Sequence, residues 1–244
     1  MGEEGSEGAR GAIRILTANL ESGGADPAAL EALLRRHAPD VACLKELGPA
    51  QAEAVTSVLP HGRLEPALDH CGMGIALHRD VEVGRIAMPY RAARVVRLEP
   101  GEWPTLEDTV EIVNLHVMAP TKFPYWEQPA TRSAQVQGLL AHVRASEVER
   151  RVLVGDLNAT PVWPVYREIA RHFEDAAHSH ARLEGRRPAR TWPAWSWLRE
   201  YRLLRIDHCF TQAVQISRVE RLSVPGSDHD ALCIDVAADP TGLG

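Results

Sequence analysis

The sequence predicts an α/β protein in which two β-sheets pack face to face with helices on their outer sides. Apolar runs of strand length recur along the whole chain, about nine of them, whereas only about four stretches carry helical spacing. That ratio is too rich in strands for a simple doubly wound sheet, and two stacked sheets accommodate it. The 244 residues suffice for one large domain, and no linker divides them.

The elements follow in order. GAIRILTANL alternates apolar and polar residues and reads as a first strand, ending in a loop with Gly23 and Gly24. Asp26 caps the next helix, Pro27 occupies its first turn, and Ala29, Leu30, Leu33 and Leu34 form its apolar stripe. DVACLKE is a second, largely apolar strand, and a strand, helix and buried strand in succession mark a layered α/β sheet. Further strands are expected at GMGIALHRD, RAARVVRLE, TVEIVNLHVM, RRVLVGDLN, LRIDHCFT, VQISRVERLSV and ALCIDVA, and helices at PATRSAQVQGLLAHVRASEVE and VWPVYREIARHF.

A composition of 45% hydrophobic and 25% charged residues is that of a soluble globular chain. No apolar run approaches the roughly 20 residues that span a bilayer. Cys43, Cys71, Cys209 and Cys233 stand singly, without metal-binding spacing, and read as buried thiols in a reducing compartment. No secretory leader precedes the first strand, so a cytoplasmic location is expected. MGEEGS fits the myristoylation pattern, but its Gly- and Glu-rich context reads as a disordered tail. The net charge of −6 argues against a protein that coats nucleic acid non-specifically.

Polar residues sit at the ends of many of these apolar strands: Asn19, Glu46, His116, Asp156 with Asn158, Asp207, and Asp228 with His229. One polar strand end is ordinary, but strand ends at one edge of a layered sheet converge, and the loops there present reactive groups. Carboxylates and amides without cysteine suit a hard divalent cation better than zinc, and such a cation suits phosphoester hydrolysis. In VLVGDLNAT a continued strand would put Asp156 and Asn158 on one face, where they could address a phosphate and its attacking water; the competing reading is a plain turn before a helix at Pro161.

The pieces TANL, CLKE, GMGIAL, VNLHVMAP, VGDLNATP, RIDHCF and GSDHDAL, in that order, resemble the endonuclease/exonuclease/phosphatase superfamily, to which pancreatic-type deoxyribonuclease, class II apurinic-site endonucleases, neutral sphingomyelinases and inositol-polyphosphate 5-phosphatases belong. The resemblance runs from about Arg14 to Val236. It implies a four-layer α/β sandwich of two mixed sheets flanked by helices, with that domain over 12–238 and tails at 1–11 and 239–244. It also implies a hydrolase that uses Mg2+, or Mn2+ in its place. Glu46 is then the principal metal ligand, helped by Asn19 and Asp228. Asp156 orients or deprotonates the attacking water, and Asn158 and His116 hold the phosphate. His229 pairs with Asp207, which fixes its tautomer and favours its charged form.

The chain departs from the family pattern at Lys45, where glutamine usually precedes the glutamate. A lysine there could reshape the ligand shell or pair with a substrate phosphate. Asp230 is expected to be a solvated turn residue, and His208, alternating with Asp207, a core histidine facing away from it.

Substrate is read from RLEGRRPARTWPAWSWLREYRLLRIDH, where arginines such as Arg190 interleave with Trp192, Trp195, Trp197 and Tyr201. Arginine among flat rings can hold a backbone phosphate and stack a base; the competing reading is tryptophans covering a sheet edge with a solvated arginine rim. Arg132, opening a helix, is a further phosphate candidate, and the loop from Ala119 to Pro129 a wall of the cleft. A nuclease acting on DNA or RNA leads. A phosphodiesterase or phosphatase of a lipid or metabolite, and a silent binder of a phosphorylated ligand or protein, are the alternatives. No obligate protein partner is inferred.

Overall fold

The computed structural model describes residues 12–121, 123–194 and 201–237. The expected tails at 1–11 and 239–244, and Trp195 and Trp197, lie outside them.

Two six-stranded sheets stack face to face. The first runs β11(Ile216–Leu222), β12(Ala231–Ala237), β1(Ala12–Asn19), β2(Val41–Lys45), β4(Met73–Leu77), β3(His61–Glu65) across its width. The second runs β5(Val83–Ile86), β6(Ala93–Leu98), β7(Val110–His116), β8(Arg150–Asp156), β10(Asp207–Gln212), β9(Glu174–Asp175). Each is mixed for the same reason: a single parallel pair, β1 with β2 and β7 with β8, sits among antiparallel neighbours. A parallel pair needs a crossover, supplied by α1(Pro27–His37) and by α3(Gln128–Ala145). Asp26 caps α1 by accepting from the Ala29 backbone N–H at 2.8 Å, as the sequence predicts.

Strand parity sorts the side chains. Ile13, Ile15, Val41, Cys43, Ile112, Val152, Val154 and Cys209 face the opposite sheet and form the inter-sheet core. The alternate residues Leu16, Ala18 and Leu44 face outward onto Leu30 and Leu34 of α1 and onto Ala52 and Val55 of α2(Pro49–Thr56). Likewise Val113, Leu115 and Leu153 pack on α3 and on Val165 and Ile169 of α4(Pro164–Ile169). Helix, sheet, sheet and helix make the four layers expected.

The structure adds β3, β5, β9, α2 and α5(Ala176–Leu183) to the predicted elements. The three strands lie at sheet edges, where one side is solvated and an apolar pattern is not demanded. The two helices bury mainly alanines, which leave no stripe of large residues to read. Gly155 has a local reason: it pairs with Leu115 in the β7–β8 ladder so closely that a Cβ would overlap the Leu115 carbonyl oxygen. The three strand cysteines are buried thiols, as expected, whereas Cys71, in a loop, is exposed. No helix among the described residues is long and apolar enough to cross a membrane.

Candidate active site

The inter-sheet core changes character at one end. Continuing the inward parity of each central strand past its last apolar residue gives Thr17 and Asn19 on β1, Lys45 on β2, Asn114 and His116 on β7, Asp156 on β8 and Asp207 on β10. All are buried. Both parallel pairs end here at their carboxyl ends, the place where open α/β sheets bind ligands. The site is thus a polar layer capping an apolar core, and Asn114 pins the two sheets under it by donating to the Leu44 and Gly74 carbonyls at 3.0 and 2.9 Å.

Lys45 occupies the inward position at the end of β2, so Glu46 would face away if the strand continued. Instead Glu46 adopts a left-handed backbone conformation, φ 53°, which brings its carboxylate to the layer. Ser22 donates to its Oε2 at 3.0 Å, and Asn19 Nδ2 donates to its Oε1 at 3.2 Å and to Asp156 Oδ2 at 3.1 Å. His116 Nε2 stands 3.7 Å from both Glu46 Oε1 and Asp156 Oδ2. Asn19 therefore presents its donor to the acids, while its Oδ1 accepts from Glu21 N at 3.0 Å. As a metal ligand it would need its oxygen there, which a half-turn of the amide provides.

Asp156 and Asn158 do meet, but not as alternate residues of a strand. The strand stops at Asp156, and Asn158 turns back with φ 47°. Its backbone N–H donates to Asp156 Oδ1 at 2.7 Å and its Nδ2 to Asp156 Oδ2 at 3.2 Å and to the Val117 carbonyl at 3.1 Å. The turn reading was correct in form, and it still delivers both groups to one place.

His229 lies in the loop before β12, its backbone N–H held by Ser227 Oγ at 3.1 Å. Its Nδ1 is bound to Asp207 Oδ2 at 2.8 Å, and Thr191 Oγ1 donates to the same oxygen at 2.6 Å. Its Nε2 lies 3.9 Å from Asp156 Oδ2 and 3.8 Å from Asp228 Oδ1. Burial opposes charge on this imidazole, but Asp207 outweighs it, and the pKa rises to about 10. Burial, with Asp207 nearby, pushes Asp156 up to about 7. Burial, then Arg91 and Lys45, hold His116 well below the usual histidine range. Asp156, Asp207 and His229 each bring an atom within 4.8 Å of the others, a group that could hold a metal ion.

A cleft of about 370 Å³ opens above, lined by Glu21, Glu46, Asp156, Asn158, Asp228 and His229, with Trp163 and Trp192 among its walls. Ala119, Pro120 and Thr121 line it too, so the start of the 119–129 loop is a wall as predicted. Trp192 Nε1 donates to Asp228 Oδ2 at 2.9 Å.

Other expectations are corrected. Lys45 is fully buried, its Nζ bonded to Thr17 Oγ1 and the Cys43 carbonyl beneath the site, so it cannot touch a substrate. Arg132 is buried and donates to the carbonyls of Met118, Leu157 and Asn158, holding the loops behind Asn158. Arg190 is exposed and does not line the cleft. Asp230 is not solvated: it is 1% exposed and takes Arg202 in a two-point ion pair at 2.6 and 2.9 Å. With the Asp230 N–H bonded to the Thr191 carbonyl at 3.0 Å, this pair fastens the Trp192 segment to the loop that carries His229. Asp230→Ala leaves the Arg202 charge buried without its main partner and is expected to cost about 3 kcal/mol or more in chemical denaturation. A loss under about 0.5 kcal/mol would mean that the pair is solvated. His208 is a core histidine facing away from Asp207, its Nε2 2.8 Å from the Ala159 carbonyl, and burial lowers its pKa to about 4.

Sequence reasoning missed Thr17, Ser22, Asn114, Thr191 and Ser227. Thr17 and Asn114 are legible by parity, each two residues before a predicted site residue on the same strand face. Ser22, Thr191 and Ser227 come from loops whose course no pattern reveals.

The profile of the Endonuclease/Exonuclease/phosphatase family matches residues 16–229. No curated protein matches. Solved structures share the fold at low identity. A functionally unknown conserved protein from Enterococcus faecalis is 18% identical with TM-score 0.69, over 93% of this chain and 100% of that one. A humanized D. rerio TDP2 is 16% identical with TM-score 0.68, over 93% and 99%. The human Nocturnin catalytic domain with bound sulfate is 20% identical with TM-score 0.64, over 93% and 95%.

Proposed function

Because the chain belongs to the endonuclease/exonuclease/phosphatase family, we propose that it hydrolyses phosphodiesters of the nucleic-acid type by attack of water assisted by Mg2+, with Mn2+ as a substitute. The observation that carries this reading is the meeting of Glu46, Asp156, Asp228 and His229 at one cleft, with Asp207 bound behind His229.

The residues fit a hard cation. Glu46, Asp156 and Asp228 bring three carboxylates to one cleft, an oxygen-rich set without cysteine that a hard divalent cation takes. His229 is protonated and bound to Asp207, which removes it as a ligand and leaves Glu46, with Asn19 Oδ1 and Asp228, to hold the ion. When bound, the cation supplies positive charge that draws electron density from the phosphoryl oxygens.

The chain's own groups do the rest. Asp156, with a pKa near neutrality, takes the proton of the attacking water. Asn158 Nδ2 and His116 orient the phosphate. The His229 imidazolium, its Nδ1 engaged by Asp207, presents Nε2–H to the developing negative charge and can return a proton to the leaving oxygen. Water and diester thereby give a monoester and an alcohol.

Trp163 and Trp192 in the cleft wall favour a substrate with stackable rings. A lipid phosphodiester is the second reading, favoured by Phe123, Tyr125 and Trp126, which are exposed just beyond the cleft-lining Thr121. The test is a panel of supercoiled plasmid, abasic-site duplex, RNA, sphingomyelin and inositol phosphates with Mg2+ or EDTA. Metal-dependent cleavage of a nucleic acid is expected. Turnover confined to sphingomyelin establishes the second reading, and Mg2+ binding without turnover of any member leaves a binder of phosphorylated ligands.

A further inference from the structure

Beside the catalytic cleft lies a second cavity of about 370 Å³, between α3 and the start of α4. Pro120 and Trp163 line both. We propose that this cavity receives the flat ring of a nucleotide whose phosphate sits in the cleft, so that the substrate is a nucleotide terminus or short nucleotide and not the middle of a duplex. The inference rests on the nucleic-acid reading of the cleft.

Charge is the first argument. Glu21, Glu46, Asp156 and Asp228 line the cleft, and no lysine or arginine does so among the described residues. A long polyanion draws its affinity from cations along its backbone, and beyond His229 the described wall offers none. Recognition must come from elsewhere on the substrate.

The second cavity supplies it. Its apolar walls include Pro129, Pro164 and Val165, and Ser133 and Gln137, four residues apart on α3, put a hydroxyl and an amide on one helix face. Apolar walls with a few directed polar groups are what a heterocycle requires. The cavity is wrong for a second phosphate: Arg132 is spent on three carbonyls, and the other charged lining residue, Glu168, is an acid already paired with Arg171. The wall shared with the cleft is stiff, since the Arg132 guanidinium carbon lies 5.4 Å over the Trp163 ring and the Trp163 backbone N–H donates to the Thr160 carbonyl at 3.0 Å. Trp163 is 39% exposed, a ring held in place with area to spare.

Ser133 is exposed on α3, so Ser133→Trp fills the cavity without touching a catalytic group. Calorimetric titration with adenosine monophosphate and with inorganic phosphate, Mg2+ present, should show the nucleotide binding wild type roughly tenfold tighter. Ser133→Trp should abolish that excess while phosphate affinity stays the same. Equal affinities in wild type, absence of nucleotide binding, or an excess that survives in Ser133→Trp overturns the ring site. Excess lost in the variant without cleavage of any nucleic acid by wild type sinks the hydrolytic reading and keeps the ring site. Nucleic-acid cleavage with a nucleotide excess unaffected by the substitution does the reverse.

Discussion

Asp156→Asn is expected to lower metal-dependent hydrolysis by about a thousandfold or more, because it removes the base that accepts the proton of water and one carboxylate beside the cation. The fold should survive. The Asn158 N–H can donate to the new amide oxygen as it does to Asp156 Oδ1, a half-turn of the Asn19 amide turns its oxygen to the new Nδ2 in place of the bond it gave Oδ2, and the substitution relieves a buried charge. The sign follows from the pKa, raised from 3.8 in the unfolded chain to about 7 in the folded one. The native state keeps a proton that the unfolded chain has released, so this group withdraws stability as pH climbs through that window. Asn has no such slope, and the Tm of the variant at mildly alkaline pH should equal or exceed that of wild type. Activity within tenfold of wild type would remove Asp156 from the mechanism, and a collapsed Tm would make its role structural.

Asp207→Asn acts through His229. It deletes the charge that sustains the imidazolium, and burial then drives the pKa down from about 10. The rate at mildly alkaline pH should fall by about a hundredfold or more, comparable with losing the orienting carboxylate of other acid–base pairs. In wild type, activity should decline at alkaline pH as His229, whose proton Asp207 holds, deprotonates. The decline should move to lower pH in the variant, so acidification restores part of the loss. Stability is linked with the opposite sign to that of Asp156. His229 has a raised pKa, so its contribution is complete below the ordinary value of about 6.5 and is lost as pH rises through about 10. A variant profile declining at the wild-type pH would show that Asp207 does not control His229.

Much of this was legible residue by residue. The nine predicted strands are present; eight of them are central strands, which must be apolar on both faces, and that demand writes itself into VACLK, MGIAL and RVLVGD. The polar ends of those strands marked Asn19, His116, Asp156 and Asp207, since a polar residue continuing an inward parity has nowhere to go but the site. Glu46 breaks that parity. Strand alternation assigns the inward place to Lys45, which keeps it, and only a left-handed backbone at Glu46 brings the carboxylate to the same layer. Asp230 reads as a turn residue because its partner Arg202 is 28 positions away.

The sequence by itself determined the fold class, the order of the central strands' polar ends, and the oxygen-rich chemistry, because these follow from local periodicity and residue type. Only the tertiary structure decided which charges are exposed to a substrate. It buried Lys45 and Arg132, spent Arg202 on Asp230, and brought Thr191 from a loop to Asp207. The reason is physical: a charge in a low-dielectric interior takes whatever partner the packing brings near, and packing joins residues whose separation in sequence carries no signal.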